Sequence, residues 1–347
     1  MIPGRKYLLL AALLFAACAC GNKPDPDPEP GPAPVTFVKG ADISWVTEME
    51  GKGFKFYNAA GEERELTALM KEIGMNAVRL RGWVDPAGGW NGKADVLQKA
   101  KRASLLGLKI LIDFHYSDSW ADPGQQNVPS AWKGKDASAM ASAVKAHTQE
   151  VLQALKDEGV DATWVQVGNE VTNGMLWESG KVAGTNTGQF VPYFNAGREA
   201  VKAVYPQAQV ILHLDNGWKL ETLNWFLALM KGKSLDYDIL GLSLYPSYWE
   251  NGAYPDWKPK TEQFLANLPE LYRNWGKPVM LVEFGMPAAE PGKAKAALQH
   301  LFDYAGNDDS FLGIFYWEPE AEHDRNGYDY GAFSGGKPTA ALDPFKN

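Results

Sequence analysis

Two glutamates stand where a chain of this kind can do chemistry. Glu170 lies in the stretch Thr163–Thr172 (TWVQVGNEVT), whose apolar part, Trp164 to Val167, breaks off at Gly168, Asn169 and Glu170. Glu283 closes a second apolar run that starts at Pro278 (PVMLVEFG). Strands of Val, Leu and Trp are buried on both faces, so a carboxylate at the carboxyl end marks a change of task. In a barrel of parallel strands that end carries the reactive groups. Two carboxyl groups facing each other across a cleft are the requirement for hydrolysis of a glycosidic bond.

The elements that must position them follow from periodicity. Strands are predicted at 38–43, 77–80, 109–114, 163–167, 209–214, 239–244, 279–283 and 311–317. Helices are predicted between them, at 63–73, 94–106, 137–158, 188–205, 220–230, 261–275 and 293–305, with apolar residues near helical spacing such as Leu66, Leu69, Met70 and Ile73. Several stop at a glycine before the next strand: Gly74, Gly107, Gly159 and Gly276. Strand and helix alternating about eight times over roughly 300 residues point to an α/β fold, the (β/α)8 TIM barrel. The alternative is a doubly wound open sheet, but no glycine-rich phosphate loop follows the first strand.

The polar residues gather at the predicted strand ends: Asp42 and Trp45; Arg79, Arg81 and Trp83; His115, Asp118 and Trp120; Asn169 and Glu170; His213 and Asp215; Tyr245, Tyr248 and Trp249; Glu283; Trp317 and Glu318. Eight such ends converge on one mouth with aromatic walls, and Asp42, Trp120, Asp215 and Trp249 are taken as candidates to line it. Plainer roles compete. Arg79 and Arg81 share one strand face, and either can serve a structural ion pair with Asp42 or Asp113. His115 on its own reads as a hydrogen-bonded core histidine, Asp113 as structural, and Glu318 as a cap on the last strand.

Composition narrows the class. The chain has 347 residues, a formal net charge of -8 and 13 tryptophans. Without a basic run in the folded part, nucleic acid is not an expected partner. Flat indole faces suit the C–H faces of sugar rings as well as a core. The two cysteines, Cys18 and Cys20, both lie near the start, which leaves the folded part without a disulfide, a thiol nucleophile or a cysteine metal site.

Residues 1–20 have a basic start (Arg5, Lys6), an apolar run too short to span a membrane comfortably, and small residues before cysteine. They read as a secretory signal whose Cys18 or Cys20 resembles the acylated residue of a bacterial lipoprotein; plain cleavage near Ala19 is the alternative. Residues 21–36 alternate proline with acid and form an extended tether. A single catalytic domain is expected over 37–347, in a monomeric protein exported across the inner membrane and lipid-anchored at the outer-membrane cell surface.

Beyond these readings, the chain resembles the endo-β-1,4-galactanases of glycoside hydrolase family 53 (arabinogalactan endo-β-1,4-galactanases). The stretches that carry the resemblance are GADIS (40–44), NAVRLRGWVDP (76–86), LIDFHYSDSWADPG (111–124), VQVGNEVTNG (165–174) and GIFYWEP (313–319). It implies cleavage of internal β-1,4-galactosidic bonds of galactan, with Glu170 as acid/base and Glu283 as nucleophile. It further implies Asn169 on the sugar 2-hydroxyl, Tyr245 on a nucleophile oxygen, Arg81 supporting the same carboxylate with Arg79 left open, Trp317 as the floor of the central subsite, and His115 and Asp118 near it. No cofactor is implied. Some bacterial members bind calcium in a long loop after the seventh strand; the loop after Glu283 is short here, and no metal is expected. The rival readings are another retaining barrel glycanase, such as a mannanase or cellulase, and a surface glycan-binding lipoprotein that has lost catalysis.

Overall fold

The computed structural model of the chain describes Met1 and residues 37–346. The expected signal and tether, with Cys18 and Cys20, fall outside the described residues.

Eight parallel strands close into a barrel: β1 (Val38–Asp42), β2 (Ala77–Gly82), β3 (Lys109–Phe114), β4 (Trp164–Val167), β5 (Gln209–Leu214), β6 (Ile239–Leu244), β7 (Val279–Phe284) and β8 (Phe311–Trp317), with β1 pairing both β2 and β8. The fold is the (β/α)8 barrel. Helices fill the connections: α1 (Val46–Gly51), α2 (Leu66–Ile73), α3 (Lys93–Leu105), α4 (Ala137–Asp157), α5 (Phe190–Val204), α6 (Leu220–Met230), α7 (Trp257–Trp275) and α8 (Pro291–Ala305).

Side-chain alternation divides each strand between two cores. Ala41, Val78, Ile112, Val165 and Leu212 face the helices, in the larger cluster. Val38, Leu111, Trp164, Ile211, Ile239, Met280, Val282 and Phe315 fill the lumen. Phe315 fits because Gly40 faces it; a Cβ there would lie 2.3 Å from the ring.

Element boundaries depart from the expected ones where local chemistry intervenes. The helix expected from residue 63 starts at Leu66, because Glu63–Arg64 pair with Phe56–Tyr57 as a small antiparallel ribbon. Glu65 then caps α2 by accepting from the Ala68 amide. The helix expected from residue 261 starts earlier, at Trp257, where Asp256 accepts from the Lys258 amide. At the other end of α2, Gly74 adopts φ 112°, and its missing side chain admits the Phe345 carbonyl.

One irregularity bears on the site. Leu242 on β6 pairs with Leu281 on β7, but the next residue, Ser243, pairs with Glu283. On the other side β8 runs from Ile314 opposite Leu281 to Tyr316 opposite Phe284. β7 therefore carries one extra residue, a bulge that turns Val282 and Glu283 both toward the lumen.

Candidate active site

Above the apolar plug the lumen turns polar. The next inward positions are Asp42, Arg79, Asp113, Gln166, His213, Ser243 and Glu283, all buried. Arg79 is their hub. Its Nη1 lies 2.6 Å from Asp42 Oδ2, and its Nη2 lies 2.9 Å from both Asp113 Oδ2 and Glu283 Oε1. Nη2 also donates to Asn169 Oδ1 at 2.8 Å. A guanidinium buried to this depth is tolerable only with such partners. Burial pushes the Asp113 carboxyl up, but Arg79 and then His115 hold it below its ordinary range.

Glu283 has two holders. Arg79 takes Oε1, and the Tyr245 hydroxyl donates to Oε2 at 3.0 Å. Burial raises its pKa, Arg79 opposes, and the balance is about 7. Among the described residues no cation forms an ion pair with Glu170; the cleft lysines Lys219 and Lys260 pair elsewhere or stack on Trp218. Burial, then the charges of Glu283 and Asp215, push it well above the carboxylate range. Among the described residues its side-chain hydrogen-bond partner is Ser243, whose Oγ donates to Oε1 at 2.6 Å. Ser243 stands opposite Glu283 in the sheet and its side chain bonds Glu170, so one residue adjoins both positions. On its other side Oγ is 2.8 Å from His213 Nε2. Burial, then the charge of Arg79, drives His213 well below the ordinary histidine value, so the ring is neutral.

Glu170 takes φ 46°, which lifts its side chain out of the strand line into a cleft of about 630 Å³. Asp122, Asp215, Trp218, Ser243, Tyr245 and Tyr248 share that cleft.

The remaining expected residues sort by environment. Asp42 is fully buried and also accepts from Ser44, so it holds Arg79 rather than facing the cleft. His115 donates from Nε2 to Asp113 Oδ2 at 2.9 Å and accepts at Nδ1 from the Ala121 amide at 3.2 Å. Both oxygens of Asp118 accept from backbone amides, of Asp85 and Ser130, and it borders a separate cavity of about 600 Å³. Asn169 is buried, its Nδ2 donating to the Ala121 carbonyl at 2.8 Å. Asp215 accepts from Thr172 Oγ1. Trp249 is 52% exposed at the rim.

Arg81 is a correction. The cation against Glu283 is Arg79; Arg81 instead pairs with Glu318 Oε1 at 3.0 Å. Its guanidinium lies 4.2 Å from the Trp120 ring centre, 5.0 Å from Trp83, 5.6 Å from Trp45 and 6.0 Å from Trp317. It is the peg around which four indoles are set, Trp317 among them. Glu318 does more than end β8: φ 43° turns it back into the barrel, where Oε2 accepts from the Trp45 amide at 3.1 Å. Burial and the charge of Asp42, opposed by Arg81, raise its pKa to about 7.

Sequence reasoning passed over Gln166 and Ser243 and gave His213 no role. Period two carried the signal: Gln166 follows Trp164, His213 follows Ile211, and Ser243 follows Ile239 and Gly241 on the inward face.

Comparison with known proteins agrees with this geometry. Residues 38–299 match the model of glycosyl hydrolase family 53. An arabinogalactan endo-β-1,4-galactanase of Humicola insolens is 32% identical over 83% of this chain and 91% of its own length. An endo-β-1,4-galactanase of Bacillus subtilis (strain 168) is 32% identical over 82% of this chain and 70% of its own. Among solved structures, a fungal β-1,4-galactanase superposes with a TM-score of 0.78 at 29% identity, over 90% of this chain and 99% of that one. The family 53 catalytic domain of Ignisphaera aggregans gives 0.75 at 27% identity, over 92% and 98%.

Proposed function

The chain belongs to glycosyl hydrolase family 53, and from that premise we propose that it is an arabinogalactan endo-β-1,4-galactanase. We further infer a retaining mechanism with Glu283 as nucleophile and Glu170 as acid/base. The observation that carries the assignment is the asymmetry of the two carboxyl groups about Ser243. Glu283 is held by Arg79 and Tyr245, which favour an anion at a fixed place. Around Glu170, burial and the push of neighbouring negative charge favour a proton and outweigh the bond donated by Ser243, which favours the anion.

In the first step a Glu283 oxygen attacks the anomeric carbon, the glycosidic C–O bond breaks, and the Glu170 proton passes to the leaving oxygen. In the second step Glu170 takes a proton from water, the water oxygen bonds to the same carbon, and Glu283 leaves as carboxylate. Ser243 and neutral His213 suit that alternation. When Glu170 is ionised, Ser243 donates to it and accepts from His213 Nε2–H. When Glu170 is protonated on its other oxygen, Ser243 keeps donating to Oε1 and His213 keeps its Nε2 hydrogen, the tautomer fixed by the Glu170 amide donating to Nδ1 at 3.3 Å.

The test is release of reducing ends from β-1,4-galactan, mannan and cellulose in parallel, with the anomer of the first product followed by NMR. Galactan alone should be cut, and the β-anomer should appear first. Preference for mannan or cellulose would move the substrate assignment, and an α first product would sink the retaining mechanism. The leader and proline-rich tether of the sequence support an enzyme anchored at the cell surface. Recovery of all the protein in the cytoplasmic fraction would contradict that.

A further inference from the structure

The two most exposed aromatic side chains among the described residues, Tyr248 at 57% and Trp249 at 52%, are neighbours in the loop after β6. Exposed rings lose the benefit of burial, and a cluster of them marks a binding surface more often than a packing one. These rings are also held still. The Trp249 amide donates to the Tyr330 hydroxyl at 2.8 Å. Tyr248 stacks on Tyr330 at 5.2 Å with 4° between planes, and Tyr254 sets its edge against Trp249 at 4.8 Å. Together with Asp329 they border an open space of about 450 Å³.

The platform continues the cleft. Tyr248 borders this space and also the cleft that holds Glu170. Ring contacts run on without a break from Trp317 to Tyr328 at 4.7 Å, to Tyr330 at 5.7 Å, and so to Tyr248 and Tyr254. We propose that Tyr248, Trp249 and Tyr254 form a distal subsite for a further stretch of the β-linked galactan chain being cut, beyond the sugars at the carboxylates. The proposal rests on the galactanase reading. Galactose suits the surface, because its axial O4 leaves an apolar C–H patch over C3 to C6 on one face. Asp329, exposed at the margin and paired through Oδ1 with His323 Nδ1 at 2.6 Å, offers its other oxygen as an acceptor for hydroxyls. A polymer that reaches the platform is held at two places on one chain, which favours cuts inside long chains over cuts in short ones.

The test uses the full chain and its Trp249→Ala and Tyr254→Ala variants, with unfolding midpoints to show that each is folded. The ratio of kcat/KM on long galactan to kcat/KM on galactotriose should fall roughly tenfold in Trp249→Ala and less in Tyr254→Ala. An unchanged ratio in both variants overturns the proposal. Electrophoresis in gels containing soluble galactan reads binding apart from turnover. Retardation of the wild type that weakens in the variants supports the platform, even if the wild type fails to cut galactan and the galactanase reading falls. Equal retardation with and without the rings overturns the platform, whatever the wild type hydrolyses.

Discussion

Arg79 and Arg81 stand two residues apart on one strand, face the same way and are both fully buried, yet they serve different regions. Arg79 meets three carboxylates and two amide oxygens, of Asn169 and Gln166. Arg81 meets one carboxylate and four indoles. The first region fixes where a negative charge sits and how easily it takes a proton. The second fixes the tilt of flat apolar surfaces at the mouth. A single turn of the pleat separates the polar hub from the aromatic cage, so depth along the barrel axis decides what an inward arginine is for.

Removing a carboxylate from each region should separate them most widely. Glu283→Ala should lose four or more orders of magnitude in kcat, on the order seen when a nucleophile is deleted, while still binding galacto-oligosaccharides. Glu318→Gln should keep kcat within roughly tenfold of wild type, because it touches the reacting sugar only through the tryptophans. Equal losses in steady-state assays would erase the distinction between the two regions.

Stability comes next. Arg79→Met leaves three buried carboxylates facing one another and should cost about 3–5 kcal/mol in urea unfolding. Arg81→Met should cost about 2 kcal/mol, since its single partner can take up a proton and the indoles still pack. A reversed order would mean that the aromatic cage, not the hub, holds the barrel mouth together.

The pH dependence of stability sharpens the second region. The folded pKa of Glu318, about 7, lies above its ordinary value of 4.5, so folding favours the protonated form. The stability this contributes is full below 4.5 and is lost as pH rises through 7. Glu318→Gln should therefore flatten the fall in Tm between pH 4.5 and about 7. A slope identical to wild type would place the titration elsewhere.

The smallest effect concerns Ser243. Its donated hydrogen bond favours the ionised form of Glu170. Ser243→Ala should move the basic limb of the kcat/KM profile up by about one pH unit, with the acidic limb, set by Glu283, in place. Movement of the acidic limb instead would tie Ser243 to Glu283.

Much of the barrel was legible because its signals are local. β3, β5, β6 and β8 have the expected bounds, since each apolar run ends where polar residues begin. The assignment of the two arginines was not legible. Spacing shows that both face inward, but it does not show that Glu318 turns back through a left-handed backbone to claim Arg81. Nor does the sequence show the bulge in β7; strict alternation from Met280 and Val282 would have sent Glu283 outward among the helices. Asp118 reads as a site residue because it is polar and near a strand end, and only the backbone amides it accepts from show it tying loops together.

The surplus residue in β7 has one more consequence. Since Val282 and Glu283 both point inward, the Glu283 carboxylate stands next to the apolar lumen cluster of Val282, Phe315, Met280 and Ile211. Among the described residues that apolar layer closes the lumen below the carboxylate. In the mechanism proposed above, water would therefore reach a glycosyl group on Glu283 from the cleft side, after the released half of the chain has cleared it.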